Sequence, residues 1–308
     1  THLASSAASD VYKRQVFIIV CSSSGIIFTS LTFTPKEFSH VASVLVLISL
    51  VLPDSTSLPI IIIPAIISFL FDIYKYKLNI MKFTNTLIKG KLIKRYKRFF
   101  TDIKVNNSIV TAHCPNTGSM KGLLDKDNTV FLSKNDDPKR KLKFTLEIIE
   151  ANKKLVGVNT HRANKIVADG LNKGLINEFK SIKNIKPEFK FSSDTRFDFL
   201  CDKNIIEVKN VTLLRDQKIA EFPDAVTERG TKHLKKLIEA LKQGYKPFVL
   251  FLTQIQDINN FKIAKDIDLN YYKNYLIAKK SGVKFLAYRC LLSNKEIKIE
   301  KKINIIDE

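Results

Sequence analysis

The spacing of apolar and polar residues changes twice along the chain, near residues 81 and 161. The first part is Ser-rich and contains two long apolar runs, from Val41 to Leu52 and from Ile60 to Phe71. The middle part consists of short segments of β-forming residues, which turn residues separate. In the last part, helical spacing alternates with strand-like segments. The pattern therefore predicts three structurally different parts, residues 1–80, 81–160 and 161–308.

Residues 81–160 are predicted to form a small antiparallel β-barrel. Its size and basic strands are typical of an OB-like barrel, which binds nucleic-acid strands by combining basic side chains with stacked aromatic rings. One strand supplies this mixture, and we predict that it binds nucleic acid through Lys94, Arg95, Tyr96, Lys97 and Arg98. In the alternative interpretation the aromatic rings face the core and the basic side chains face water, where they would still meet phosphates.

Residues 161–308 are predicted to form a mixed α/β domain around a central sheet, because helices and strands alternate along this part. We expect its helices over residues 161–182, 225–243 and 269–280. Asp224 is the predicted N-cap of the second helix. At the start of the first helix, three polar residues either cap the helix or contact a nucleic-acid backbone: Asn159, Thr160 and Asn164.

Residues 1–80 contain no convincing membrane span, because each apolar run covers only 12 residues and a bilayer helix needs about 17 to 25. Three interpretations are open: a membrane anchor, a genuine extension, and upstream sequence translated as protein. We favour the last, because the string SDVYKRQ resembles translated sequencing adaptor and Met81 is a plausible start. Disorder or poorly packed helices are then expected before Met81.

The charge balance predicts a polyanionic partner. The chain has 51 Lys and Arg against 30 Asp and Glu, a net charge of +21. Residues 1–80 hold only five of these basic and four of these acidic residues, so nearly the whole surplus lies in residues 81–308. Nucleic acid is the natural partner of such a surface. The alternatives are an anionic lipid, or a Lys-rich surface that reflects a biased genome.

The four cysteines lie far apart, without C-x-x-C spacing: Cys21, Cys114, Cys201 and Cys290. This spacing argues against a structural zinc site and against a disulfide framework. We therefore expect small core residues in a reducing, cytoplasmic environment.

Charged residues occur on two consecutive strands that are apolar enough to be central. Strand alternation places Asp198 on one face of the first strand and both Phe197 and Phe199 on the other. On the next strand, Glu207 and Lys209 share a face. Burying such charges is costly unless they are paired or bind a cation.

This group of charges could hydrolyse a phosphodiester. Two carboxylates can hold Mg²⁺ or Mn²⁺, which polarises phosphoryl oxygens and lowers the pKa of a bound water, while a lysine orients the water or stabilises developing charge. Asp198 and Glu207 are the predicted metal ligands, and Lys209 is the predicted catalytic cation. Glu188 is the predicted third metal ligand, with Glu178 as the next candidate. The alternative is a buried cluster of ion pairs without catalysis.

The second predicted helix carries a polar edge beside its apolar stripe. Arg229, His233 and Lys236 fall at positions i, i+4 and i+7. Together with Arg196, these residues are predicted to bind nucleic acid. For His233, a role as general acid or base is the alternative.

Six strings in residues 81–308 resemble the sugar fermentation stimulation protein A family: LIKRYKRF, HCPNTGSM, VNTHRAN, TRFDF, IEVKNVTL and FPDAVTERGTKHL. The resemblance covers essentially all of these residues and none of residues 1–80. It implies an OB-like domain followed by a PD-(D/E)xK nuclease-like domain of the restriction-endonuclease type, with Asp198 as the D and Glu207 to Lys209 as the ExK. Thr195 and Thr231 depart from the family, which usually has Ser and often Gln at these positions.

Two functions remain open. The first is a metal-dependent nuclease, which the intact Asp198, Glu207 and Lys209 favour. The second is a non-catalytic DNA-binding regulator of sugar metabolism genes, which the description of the resembling family favours. DNA is the favoured nucleic acid, and whether the protein forms a homodimer is left open.

Overall fold

In the computed structural model, residues 82–216 and 218–307 are described, together with the backbone of two earlier strands. These strands, β1 (Arg14–Ser22) and β2 (Gly25–Phe33), pair antiparallel. The chain divides into two compact units, residues 1–75 and 76–308. The other residues before residue 82, including both apolar runs, lie outside the described residues. The expectation of disorder or poorly packed helices for them stays a prediction. Among the helices that the structure describes, none is long and apolar enough to cross a bilayer.

The second unit begins with a closed five-stranded barrel, which confirms the predicted antiparallel barrel. Its strands run in the order β5-β4-β3-β6-β7, β5 also pairs with β7 to close the ring, and β8 extends the sheet beyond β7. Alternating side chains fill the interior, among them Leu92, Ile103 and Val130. The bounds are β3 Ile88–Tyr96, β4 Phe100–Val105, β5 Ser108–His113, β6 Thr129–Lys134, β7 Phe144–Ala151 and β8 Lys154–Gly157.

The remainder of the unit is a mixed α/β domain, also as predicted. Its six-stranded sheet has the order β16-β15-β13-β11-β10-β9, in which β11, β13 and β15 are parallel, and a small sheet has the order β12-β14-β17. The bounds are α1 Ala163–Asn172, β9 Ile185–Lys190, β10 Arg196–Cys201, β11 Asn204–Val211, β12 Ile219–Phe222, α2 Glu228–Lys242, β13 Lys246–Thr253, β14 Asn260–Ile263, α3 Leu269–Ser281, β15 Lys284–Leu292, β16 Ile297–Lys302 and β17 Asn304–Ile305.

Two apolar cores cover the two faces of the six-stranded sheet. Ile205 of β11 packs in the core that α2 and α3 cover, whereas its neighbour Ile206 packs in the core that α1 covers. Strand β11 is therefore central and apolar on both faces, as parallel strands with helices on each side usually are. The first core also contains Leu92 and Ile103 of the barrel, so the barrel and the α/β domain share one continuous core.

The first helix is shorter than predicted. It ends at Asn172, because Gly174 adopts a left-handed conformation with φ of +65° that terminates the helix. Residues Asn177–Phe179 then form a separate 3₁₀ turn. The third helix, at Leu269–Ser281, has the predicted bounds within one residue.

The N-cap prediction for the second helix is wrong. Helix α2 begins at Glu228, and its N-cap is Thr227, whose hydroxyl accepts a hydrogen bond from the backbone N of Gly230 at 3.0 Å. Asp224 instead lies against the barrel: a Cβ on Gly118 would be 2.0 Å from its Oδ2 atom. The hydroxyl of Ser119 also donates to the backbone carbonyl of Asp224 at 2.9 Å. The barrel loop of residues 116–119 and the segment before α2 therefore hold each other.

The cysteines of the described residues agree with the expectation from their spacing. Cys114, Cys201 and Cys290 are free thiols, and all three are buried in the apolar cores. The side chain of Cys21 lies outside the described residues.

Candidate active site

The pairing of β10 with β11 stops just before the charged residues. Phe199 is opposite Ile206, and no paired positions follow toward the start of β10. There, the Oδ2 atom of Asp198 accepts a hydrogen bond from the backbone N of Val208 at 2.7 Å. A side-chain carboxylate thus takes the place that a backbone carbonyl has in a regular ladder.

Strand alternation fails at the same point, so the prediction that Phe197 and Phe199 share a face is wrong. Phe197 packs in the core beneath α2, whereas Phe199 packs in the core beneath α1. The irregularity separates the two rings and leaves Asp198 between the two cores. A side chain in such a break can be aimed in a direction that a regular strand does not permit.

Asp198 is held from the α1 side. The amide of Asn164 donates to its Oδ1 atom at 2.7 Å. Burial raises the pKa of Asp198 to about 6, and the negative charge of Glu207 adds to this shift, while the bonds from Val208 and Asn164 and the charge of Lys209 oppose it. Asp198, Glu207 and Lys209 therefore lie within electrostatic range of one another.

Glu207 is buried, with only 4% of its surface exposed. Its Oε1 atom accepts a hydrogen bond from the ammonium of Lys209 at 2.6 Å and another from Nδ1 of His233. Although burial alone would raise the pKa of Glu207, Lys209 and His233 hold it below its usual value. The second oxygen, Oε2, is buried and has no hydrogen-bond partner among the described residues.

His233 connects this buried group to the surface. Its ring packs edge-on against Phe197 and lines a cavity of about 380 Å³. This cavity, called the basic cavity below, has four cationic residues and one acidic residue, Asp194, which pairs with Lys232 at 2.9 Å. The cations are Lys190, Arg196, Arg229 and Lys232. The structure thus brings Arg196, Arg229 and His233, three residues predicted to bind nucleic acid, into one cavity.

Lys236 and the basic barrel strand lie elsewhere. The ammonium of Lys236 is 2.8 Å from Glu239, and the residue does not line the basic cavity. On the barrel, the guanidinium of Arg95 turns inward and donates to the carbonyls of Asn116 at 2.7 Å and Gly118 at 3.1 Å. Arg95 therefore supports the loop of residues 116–119 and stays only partly exposed.

The other residues of the barrel strand surround its hairpin with β4. Lys97 and Arg98 form the hairpin turn in left-handed conformations, with φ of 46° and 62°. The hydroxyl of Tyr96 donates to Asp102 at 3.2 Å, and the ammonium of Lys94 is 3.8 Å from the same carboxylate. Arg95 and Arg98 both line a separate cavity of about 610 Å³, which lies between the barrel and the start of α2.

The predicted third carboxylate is not in the group. Glu188 lies on β9 with 60% of its side chain exposed, and its Oε2 is 3.7 Å from Arg196. Glu178 is also engaged elsewhere, because it accepts hydrogen bonds from the hydroxyl of Tyr288 at 2.6 Å and from Lys302 at 2.7 Å. Within the part of the chain that the structure describes, no cluster of three His, Cys, Asp or Glu suits a metal ion.

Two contacts of the site were not predicted from the sequence. Asn164, expected as a helix cap or nucleic-acid contact, instead orients Asp198. His233, predicted to bind nucleic acid with a general acid or base as the alternative, bonds to the buried Glu207. Both residues lie in strings that carry the family resemblance, but neither spacing nor those strings indicated these particular partners. Asn159 caps the 3₁₀ turn at Thr160–Arg162, since its side chain accepts a bond from His161 N at 3.1 Å, whereas α1 itself has Arg162 at its N-cap and no side-chain cap.

The fold and the site together define a class of protein in which an OB barrel precedes a restriction-endonuclease-type α/β domain. The model of the SfsA N-terminal OB domain matches residues 93–158, and that of the sugar fermentation stimulation protein RE domain matches residues 161–296. The chain therefore belongs to the sugar fermentation stimulation protein family, as the six strings predicted.

Individual relatives cover the same region. A sugar fermentation stimulation protein homolog of Pelagibacter ubique is 66% identical over 231 residues, which are 74% of this chain and 100% of the relative. The homolog of Bartonella quintana is 41% identical over 69% of this chain and 94% of its own length. The solved structure of Pyrococcus furiosus SfsA in complex with Ca²⁺ has the same fold, with a TM-score of 0.67 at 22% identity over 74% of this chain and 99% of that one.

Asp198 should make native stability depend on pH. Its folded-state pKa of about 6 lies above the ~3.9 of an unfolded aspartate. The native state therefore binds this proton more tightly, and stability falls as the pH rises through about 6. We compare the free energy of unfolding of the wild type with that of Asp198→Asn in EDTA. The wild-type value should fall by roughly 3 kcal/mol relative to the variant between about pH 4 and pH 8. Urea denaturation measures this difference, and a difference that does not vary with pH would contradict the environment described for Asp198.

Proposed function

We propose that the chain is a metal-dependent phosphodiesterase that acts on nucleic acid. The observation that supports this function best is the unpartnered, buried Oε2 atom of Glu207, a carboxylate whose other oxygen bonds to Lys209 and whose charge acts on Asp198. Buried carboxylate oxygens almost always have a partner. Here the open oxygen belongs to one of two carboxylates that influence each other's charge, which suits a divalent cation.

In this proposal, Asp198 and Glu207 hold Mg²⁺ or Mn²⁺, and water completes the coordination shell. When bound, the metal supplies a polarised phosphoryl oxygen and a water of lowered pKa. Lys209 and His233 keep Glu207 ionised and fix its orientation through Oε1. Asn164 and the backbone of Val208 fix both oxygens of Asp198. The related structure of Pyrococcus furiosus SfsA is described as a complex with Ca²⁺, a hard cation of the same kind.

The basic cavity is the proposed entry for the substrate. His233 lines this cavity and contacts Glu207, so a phosphate held there would be one imidazole ring away from Glu207, which does not itself line the cavity. Arg196 and Arg229 supply positive charge at its rim, and the surplus of basic residues on residues 81–308 would attract a polyanion over a longer range. DNA is the proposed nucleic acid, in line with the resemblance.

A non-catalytic DNA-binding regulator is the second candidate, and one observation favours it. The Oε1 atom of Glu207 is already occupied by Lys209 and His233, and the described residues offer no third acidic ligand. A closed network of this kind would preserve the fold without holding a metal.

Replacing Asp198 should separate cleavage from binding. We expect Asp198→Ala to reduce Mn²⁺-dependent cleavage on the order of 100-fold or more, because one of two metal ligands is lost, while nucleic-acid binding is retained. Asp202→Ala is the matched control, since this exposed carboxylate lies on the same hairpin and bonds only to Asn184 at 3.3 Å. The assay uses labelled single- and double-stranded DNA and RNA with Mg²⁺, Mn²⁺ or EDTA. Binding without cleavage under either metal would support the regulator instead.

Nucleic-acid binding should depend on the basic cavity and on salt. Each lost phosphate contact is expected to reduce the slope of log K against log salt concentration by about 0.7 to 0.9. Arg196→Gln combined with Arg229→Gln should therefore weaken binding at low salt and flatten this slope. Lys236→Gln should have a smaller effect, because Lys236 is paired with Glu239. Fluorescence anisotropy over a range of salt concentrations tests both expectations, and binding that does not respond to salt would exclude the electrostatic mode.

A further inference from the structure

A second candidate binding site lies where three parts of the second unit meet. Its cavity has a volume of about 590 Å³ and shares no lining residue with the basic cavity. One wall is the segment before β3, which the bonds from Phe83 N to Lys295 O and from Leu87 N to Asn294 O tie to the β15–β16 turn. The barrel and the start of α1 form the other walls. We call this cavity the junction pocket.

The floor of the junction pocket is a saturated ion pair. Glu147 is only 1% exposed and accepts hydrogen bonds from Arg162 at 2.6 and 2.8 Å, from Ser133 at 2.6 Å and from Asn159 at 2.9 Å. Although burial alone would raise the pKa of Glu147, these bonds hold it below its usual value. The guanidinium of Arg162 also stacks on Phe83 at 4.4 Å. The floor is therefore rigid, neutral overall, and without a free carboxylate oxygen.

The rim of the pocket carries positive groups that no carboxylate balances. Arg140 donates only to the neutral hydroxyl of Thr145, at 3.2 Å, among the described residues. Lys165 has no ion-pair partner in that part of the chain, and neither does His161. Burial lowers the pKa of His113, and the positive charges of His161 and Arg140 lower it further. All of these groups line the same pocket, and positive charges gathered in one pocket are costly unless an anion lies among them.

We propose that the junction pocket binds a phosphate monoester, carried either by a small molecule of nucleotide size or by the 5′ end of a nucleic-acid strand. A dianion matches a rim with two strong cations, and a guanidinium such as that of Arg140 can bind two phosphate oxygens at once. The imidazoles of His113 and His161 can donate to the remaining oxygens. A volume of about 590 Å³ falls within the usual range for small-molecule sites. This proposal stands apart from the phosphodiesterase proposal.

Isothermal titration calorimetry of the full chain in EDTA tests the proposal, with inorganic phosphate, AMP and uncharged adenosine as probes. We expect saturable one-site binding of phosphate and AMP, and none of adenosine. Arg140→Gln should weaken both affinities at least about 10-fold, the effect of losing a charged hydrogen-bond donor, and Arg140→Lys should restore part of the loss. Lys141→Gln is the matched control, because this exposed neighbour lies outside the pocket.

Competition with oligonucleotides distinguishes the two sources of the phosphate. If a strand end is the ligand, a 5′-phosphorylated oligonucleotide displaces AMP better than its 5′-hydroxyl counterpart, and Arg140→Gln removes the difference. If the ligand is a free molecule, AMP binds, and the two oligonucleotides do not differ in how well they displace it. The proposal is overturned if neither phosphate nor AMP binds the wild type. It is equally overturned if Lys141→Gln weakens binding as much as Arg140→Gln does.

Discussion

The burial of an ionised Glu207 within the central sheet is the constraint on which the candidate site depends. Its neighbours on β11 include Ile205, Ile206 and Val208, all buried, so an apolar residue would suit this position for packing alone. Replacing a buried ion pair with apolar side chains is often neutral or stabilising. A charge kept in this place is therefore explained better by the proposed metal site than by stability, and Lys209 and His233, which bond to its Oε1 atom, hold the pKa of Glu207 below its usual value.

Three separate elements are needed to build this group. Strand β10 leaves its ladder so that Asp198 can reach the backbone of Val208, α1 contributes Asn164, and α2 contributes His233. Helix α2 is in turn fixed to the barrel through the contact between Asp224 and Gly118. Because the barrel and the α/β domain share one core, a strand bound by the barrel would keep a constant position relative to the carboxylates.

The barrel, the order of the α/β elements and the proximity of Asp198, Glu207 and Lys209 could be predicted, since they follow from local periodicity and from recognisable strings. The errors arose where tertiary contacts override local pattern. Alternation alone places Phe197 and Phe199 on one face. The strand departs from that alternation where the backbone N of Val208 donates to the side chain of Asp198. Glu188 was chosen as a ligand by its position on the adjacent strand, yet it is exposed and near Arg196. Neither the bend of a strand nor the burial of one carboxylate can be read from spacing.

Whether a divalent cation binds between Asp198 and Glu207 is best tested by anomalous diffraction from crystals of the protein soaked in Mn²⁺. We expect a Mn²⁺ peak within coordination distance, about 2.0 to 2.3 Å, of Oε2 of Glu207 and of a carboxylate oxygen of Asp198. The absence of a peak from this position at saturating Mn²⁺, with Oε2 of Glu207 hydrogen-bonded to water or to protein instead, would contradict the metal site.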